Sequence, residues 1–223
     1  MRIQAVTFDV GGTLIEPWPS VGHVYAEAAA QHGLKNLSAE SLNTRFKVAW
    51  KSRNPFGHSR EAWMELVDEV FGGLTTEPPS TTFFPKLYDR FADPEAWRIY
   101  DDVVPTLDEL AARKIRLGVI SNWDERLRGL LRDLNLERYF ESIIVSCEIG
   151  FPKPSPVIFR HAAAKMGVPP QAVLHVGDSF EMDVEGARAA GFHAVQIHRT
   201  AEPPTVNEVR SLRQLKERIL PVN

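Results

Sequence analysis

The 223-residue chain has a single cysteine, Cys147. No intramolecular disulfide can staple the fold, and a reducing compartment suits it. No stretch approaches the roughly 20 apolar residues that span a bilayer, and the N-terminus, MRIQAVTFD, lacks the apolar run of a signal peptide. Neither sign of charge dominates: 26 Lys and Arg face 29 Asp and Glu, a formal net charge of −3. The basic residues are scattered, which argues against nucleic acid and anionic membrane as partners. Internal repeats and low-complexity tracts are missing as well. With 43% hydrophobic residues, a sizeable core is possible, and the length fits one large domain or a domain with an insertion. The expectation is a soluble cytoplasmic protein acting on a small molecule. Cys147 ends the apolar run in IIVSCEIG and has no histidine nearby in sequence to activate it, so a packed core thiol is expected.

What is present falls into two textures. From about Arg98 onward, short apolar runs alternate with amphipathic stretches. IRLGVIS (115–121), SIIVS (142–146), AVLHVG (172–177) and HAVQIH (193–198) read as strands buried on both faces. VPTLDELAARK, ERLRGLLRDLN, SPVIFRHAAAKMG and MDVEGARAAG have helical spacing, with Ser155–Pro156 as a helix start and glycines as stops. TFDVG near the N-terminus adds a strand. The expected core is therefore α/β, a Rossmann-like doubly wound parallel sheet over residues 1–16 and 98–223. Residues 17–97 carry helical patterns instead, with Ser38 and Ser59 as N-caps and Gly33 and Gly72–Gly73 as stops. Aromatics including Phe46, Trp50, Trp63, Tyr88 and Phe91 recur there at helical spacing, as helix packing requires. A helical insertion directly after the first strand suggests a cap domain over that strand's C-terminal end, the edge where open α/β sheets bind ligands.

Four polar clusters sit at or just after predicted strand ends: Asp9 to Thr13, Ser121–Asn122, Lys153 in GFPKPSP, and Asp178 with Asp183 in VGDSFEMD. Singly, each reads as a turn, a cap or a solvated loop. Together on one sheet edge they make a pocket. Crowded carboxylates call for a cation, and a hard ion such as Mg²⁺ takes oxygen ligands. A lysine balances charge, while a serine hydroxyl and backbone N–H groups hold phosphate oxygens. An aspartate can then attack phosphorus.

FDVGGTL, VISN, KPSPVIF and VGDSFEMD, in this order, resemble the four motifs of the haloacid dehalogenase-like hydrolase superfamily. The resemblance covers nearly the whole chain, and SNWDERL with HVGDS is similar to its rhythmically-expressed-gene type subgroup. It implies a magnesium-dependent phosphohydrolase acting on a phosphorylated metabolite, with Asp9 as nucleophile. Asp9, the Gly11 carbonyl and Asp178 would bind Mg²⁺, with Asp183 a ligand or a nearby acid. Ser121, the Asn122 backbone and Lys153 would hold the phosphoryl group, and Thr13 would support the loop.

One position departs from that pattern. The family's phosphatases carry a second Asp two residues after the nucleophile, as proton donor to the leaving group, and here Gly11 stands there. General acid–base help contributes roughly 10² to 10⁴ in rate, or about 3 to 5 kcal/mol of barrier. Three readings stay open. In the first, a phosphohydrolase draws its proton from elsewhere (His23, His58, Glu16 and Glu61 lie in or near the insertion) or uses a leaving group that needs none. The imine-forming phosphonate hydrolases of the family, with Lys35, Lys47, Lys51 or Lys86 as candidates, are a variant. The second is a metal-free 2-haloacid dehalogenase, against which the retained Asp178 and Asp183 count. The third is a catalytically weakened binding or regulatory protein. A serine-esterase reading of VGDSF, with Ser179 attacking, fails for want of the Asp-x-x-His element. Trp18 and Trp123 each flank a motif and could line a wall of the site.

Overall fold

The computed structural model describes residues 2–53, 56–199 and 208–219; Met1 and Asn223, the ends of the expected core, lie outside them. The chain divides into two compact units, Met1–Ile15 with Ile99–Asn223, and Glu16–Arg98. Its strands are β1 (Ala5–Phe8), β2 (Ile15–Pro17), β3 (Trp97–Ile99), β4 (Arg116–Ser121), β5 (Ser142–Val145), β6 (Val173–Gly177), β7 (His193–Ile197) and β8 (Glu208–Val209). β2 and β3 pair with each other where the chain passes between the units.

The other six strands form one sheet in the order β5-β4-β1-β6-β7-β8, parallel throughout. After β1 the chain adds strands on one side and then returns to build on the other. β1 is therefore the point where the winding reverses, the place at which an open parallel sheet leaves a crevice beyond its strand ends. Register brings the strand ends level: Phe8 pairs with Val119 and with Val176. Asp9, Ser121 and Asp178 thus leave three adjacent strands within a residue of one another.

The strands are β-branched and apolar because both faces are covered; every residue of β5 and β6 is buried. The helix Pro156–Met166 covers one face. Ser155 caps it by accepting the Val157 N–H, Pro156 fills its first position, and Gly167 ends it at φ 61°, as the sequence predicts. Its Ile158, Phe159, Ala162, Ala163 and Met166 are buried against Ala5, Ile120, Ile144 and Val173, each fully buried large side chain contributing about 1.5–3 kcal/mol.

Residues 16–98 hold a core of their own. The helices Val21–Gln31, Ala39–Ser52, Arg60–Phe71 and Phe84–Arg90 are capped at the first three starts by Ser20, Ser38 and Ser59. Tyr25 stacks on Phe71 at 5.8 Å and meets Phe46 and Phe91 edge-on. This aromatic packing gives the insertion an apolar interior.

Three features depart from the sequence-based expectation. The stretch MDVEGARAAG is not one α-helix: Phe180–Glu185 is π-helical and only Gly186–Ala189 is α-helical. The Ser179 carbonyl accepts from both Asp183 and Val184 N–H, and the bond to Val184 widens the turn. Second, β8 and the 3₁₀ turn Leu212–Leu215 were not anticipated, although Ser211 and Gln214 form the capping box that announces that turn. Third, Cys147 is exposed rather than packed. The strand ends at Val145, and Cys147 lies on the helical turn Ser146–Ile149 beyond it.

Candidate active site

Asp9 follows β1 directly and is 7% exposed. Its backbone N–H still donates to the Val176 carbonyl, continuing the sheet. Its Oδ1 accepts from Ser121 Oγ at 2.9 Å and from Lys153 Nζ at 2.6 Å. The Lys153 ammonium also donates to Asp183 Oδ1 at 2.5 Å. Lys153 arrives on the loop before Pro156–Met166, and Asn122 clamps it there. The Asn122 side chain accepts the Lys153 N–H at 2.7 Å and donates to its carbonyl at 2.9 Å.

Carboxylate oxygens of Asp9, Asp178 and Asp183 all lie within 4.8 Å of one another. With all three ionised, one lysine leaves two negative charges uncompensated. Burial lifts the Asp9 carboxyl above its ordinary range, although Lys153 pulls the other way. Asp178 is open to solvent, yet its carboxyl is pushed up to about 7 by surrounding protein and by Asp9 and Asp183. Repulsion is the part that a cation relieves. Asp183 is held well below the carboxylate range, because Lys153 and His175 outweigh its burial. Lys153 is held above the usual lysine value; burial opposes its charge, but Asp183 and Asp9 prevail.

Two glycines make room for these acids. Gly12 sits at φ 74°, where a side chain is strained, and a Cβ there would stand 2.4 Å from Asp178 Oδ2. A Cβ at Gly177 would stand 2.1 Å from Asp183 Cγ. The glycine-rich loop and the glycine ending β6 are thus required by the carboxylates.

The profile described as "Hydrolase: haloacid dehalogenase-like hydrolase" matches residues 3–191. The chain belongs to this family. It is 29% identical to the Rhythmically expressed gene 2 protein of Drosophila melanogaster, over 88% of this chain and 84% of that one. It is 36% identical to the glyceraldehyde 3-phosphate phosphatase of Methanopyrus kandleri, again over 88% of this chain and 84% of that one. Among solved structures it resembles a HAD phosphatase from Thermococcus onnurineus, with TM-score 0.68 and 25% identity over 97% and 98% of the two chains. The superfamily, read from four motifs, holds, and the likeness to the rhythmically-expressed-gene type, read from SNWDERL and HVGDS, is met by the Drosophila relative.

Beyond the carboxylates, residue 11 meets an aromatic ring. A Cβ at Gly11 would lie 3.3 Å from Cζ3 of Trp123, so a side chain at residue 11 would press on the indole, which would have to give by a few tenths of an ångström. The Thr13 hydroxyl is buried with no hydrogen bond, while the Thr13 carbonyl accepts from Arg199 Nη2. Arg199 also donates to both Asp102 oxygens at 3.1 Å. Asp102 in turn accepts from Ser211 Oγ and Leu212 N–H at 2.8 Å each. Sequence reading missed this ion-paired staple between the loop after Asp9 and the C-terminal segment.

The candidate proton donors of the insertion have partners within it. His23 Nδ1 bonds Ser20 Oγ, and His58 Nδ1 bonds the Phe56 carbonyl among aromatic rings. Glu16 pairs with Arg98, and Glu61 lies in the first turn that Ser59 caps. Lys35, Lys47, Lys51 and Lys86 are exposed. The Arg98 guanidinium stacks 3.8 Å over Trp18. Among the described residues, no helix is long and apolar enough to cross a membrane.

Proposed function

We propose that this hydrolase is a magnesium-dependent phosphohydrolase that acts on a small phosphorylated metabolite through Asp9. The observation that carries this reading is the Asp9 carboxylate held between Ser121 and Lys153, with Asp178 and Asp183 within 4.8 Å. The phosphatase names of the archaeal relative and of the solved neighbour support it.

The donor set suits a hard divalent ion: it is oxygen-only, charge-rich and, at Asp178, open to solvent. Asp9, Asp178 and the Gly11 carbonyl would hold the ion, with Asp183 beside them, and it would neutralise charge on the phosphoryl oxygens. The chain's own part is to orient and to attack. With Oδ1 fixed by two donors, Asp9 Oδ2 attacks phosphorus, the bond to the leaving oxygen breaks, that oxygen departs as an anion and takes a proton from solvent, and an acyl phosphate forms on Asp9. Lys153, Ser121 and the Asn122 N–H stabilise the transferred group. Water then attacks the phosphorus, releasing inorganic phosphate and restoring the carboxylate. The helical unit corresponds to the expected cap domain.

Two other readings keep a place. A 2-haloacid dehalogenase needs no cation and gains nothing from Asp178 beside Asp9. A weakened binding or regulatory member is favoured by one observation, the Trp123 indole packed close against residue 11, where the acid is replaced by glycine.

A phosphatase panel of alkyl phosphates, acyl phosphates and phosphonates, run with magnesium and with chelator, tests the proposal. Phosphate release that chelator abolishes, and that Asp9→Asn loses, is expected. Asp178→Asn is expected to weaken magnesium binding by more than about tenfold in calorimetry. Halide release from a 2-haloacid, indifferent to chelator, would establish the dehalogenase instead; tight ligand binding without turnover would establish the third reading.

A further inference from the structure

His175 is completely buried in the middle of β6, in a strand whose other side chains are apolar. A buried imidazole without partners is costly, and this one has two. Its Nδ1 lies 2.9 Å from Thr7 Oγ1 on β1, and its Nε2 lies 3.0 Å from Asp183 Oδ1. The ring stands edge-on to Phe159, with centroids 5.1 Å apart, which fixes its plane. Burial draws the imidazole pKa below its ordinary value, although Asp183 pulls it up.

Hydrogen-bond inventory assigns the protons. An ionised carboxylate only accepts, so Nε2 carries the hydrogen that reaches Asp183. With Nε2 as donor in a neutral ring, Nδ1 accepts, and the Thr7 hydroxyl supplies that bond. Asp183 then receives three donors: His175 and Lys153 on Oδ1, and the Ser179 N–H on Oδ2 at 3.0 Å. The Ser179 bond alone leaves the carboxyl group hinged about its Cβ–Cγ bond, and Lys153 is itself the group to be placed. His175 supplies a fixed point on the sheet from which the carboxylate can aim the ammonium at Asp9.

We propose that His175 is a positioning residue of the active site, a sheet-anchored donor that orients Asp183 and, through it, Lys153 against the attacking carboxylate of Asp9. It touches neither the phosphoryl group nor Asp9. Its importance for turnover rests on the phosphohydrolase reading; its geometry does not. A histidine inside an otherwise apolar strand, two residues before the glycine–aspartate step, is the sequence signal for it.

The test uses the full chain with His175→Gln, His175→Leu and Thr7→Val. Gln retains an N–H near the Nε2 position, and Leu retains only bulk. With p-nitrophenyl phosphate as substrate, Leu is expected to lower kcat by about 10- to 100-fold with little change in KM, and Gln to restore most of it. Nitrogen-15 NMR of the wild-type ring is expected to show hydrogen on Nε2 alone. In Thr7→Val, which spares the ring but removes the hydroxyl, the hydrogen should stay on Nε2, because Asp183 can only accept, while the bare Nδ1 loses its donor and its resonance shifts. Magnesium affinity, by calorimetry without substrate, is expected to fall more in Leu than in Gln.

A wild-type ring protonated on Nδ1 with Nε2 bare overturns the assignment, as do folded Leu and Gln variants with equal kcat and magnesium affinity. Should His175→Leu fail to fold, a Thr7→Val ring that carries its hydrogen on Nδ1 overturns it equally. If the wild type turns over no phosphate ester, the phosphohydrolase reading fails, while the ring and magnesium measurements still decide the role of His175.

Discussion

The Asn122 side-chain amide holds the Lys153 backbone from both sides, accepting its N–H at 2.7 Å and donating to its carbonyl at 2.9 Å. Asn122 follows β4 and Lys153 follows β5 and its short helix, so this pair ties two loops of the sheet edge together. The lysine's long side chain can be steered only if its backbone is fixed. The amide therefore does for the lysine backbone what Asp9 and Asp183 do for the ammonium.

Asn122→Ala removes both bonds and leaves two peptide groups to find water. A destabilisation of about 1–3 kcal/mol is expected, read from urea unfolding, with a kcat loss on any phosphate substrate. Asn122→Asp keeps the acceptor and loses the donor, so it should fall between. An Asn122→Ala protein with wild-type stability and kcat would show that the clamp is dispensable.

Phe159 gives a stability test remote from substrate. Its fully buried ring packs edge-on against both His175 and Phe192, with centroids 5.1 and 5.7 Å away. Phe159→Ala leaves a cavity under the sheet and is expected to cost about 3–5 kcal/mol in denaturant unfolding. A cost below about 1 kcal/mol would mean that the helix Pro156–Met166 collapses onto the gap.

Much of this arrangement was legible in the sequence, because strand runs buried on both faces and glycine-stopped helices are local signals. Ser155–Pro156 and Gly167 cap their helix for reasons contained in a few residues. Asp9, Ser121, Lys153, Asp178 and Asp183 could be grouped because parallel strands bring their C-terminal ends to one edge. What escaped depends on pairing at long range. Thr7 with His175, 168 residues apart, and Asp102 with Arg199 become partners only once the strand order is known. The exposure of Cys147 was missed because an apolar run does not announce the residue at which its strand ends.

That cysteine yields a pH prediction. Partial burial, and then Glu148, Asp124 and Glu125, raise the Cys147 thiol above its ordinary value. The thiolate is the reactive form, so raising the pKa moves reactivity to higher pH. Iodoacetamide labelling should be slower than that of free cysteine at about pH 7 and should climb only at a higher pH than free cysteine needs. Rapid labelling at neutral pH, followed by mass spectrometry, would show that the surrounding acids do not govern this thiol.

The last prediction concerns Gly11, whose backbone is outside the left-handed region occupied by its neighbour Gly12. Backbone strain is therefore no obstacle to a side chain at residue 11; the obstacle is the Trp123 indole, 3.3 Å from where a Cβ would stand. Trp123 is held at its backbone, with its N–H donating to Ser146 Oγ at 3.1 Å and its carbonyl accepting from that hydroxyl at 3.2 Å. The ring must therefore turn rather than retreat. If Asp9 works on phosphate esters, a carboxyl at residue 11 can protonate the leaving oxygen. Gly11→Asp alone is expected to gain little, because the ring competes for that volume. Gly11→Asp with Trp123→Ala should raise kcat/KM on an alkyl phosphate toward the roughly hundredfold lower end of acid catalysis. Attack on acetyl phosphate, whose leaving group needs little protonation, should gain much less. Because hydrolysis of the acyl phosphate could also improve, its formation must be timed separately from turnover by rapid quench. Circular dichroism and magnesium calorimetry would establish that the double variant is folded and loaded. A folded, magnesium-binding double variant with no gain on alkyl phosphates would mean that the leaving group already receives its proton elsewhere, or that phosphate esters are not what Asp9 attacks.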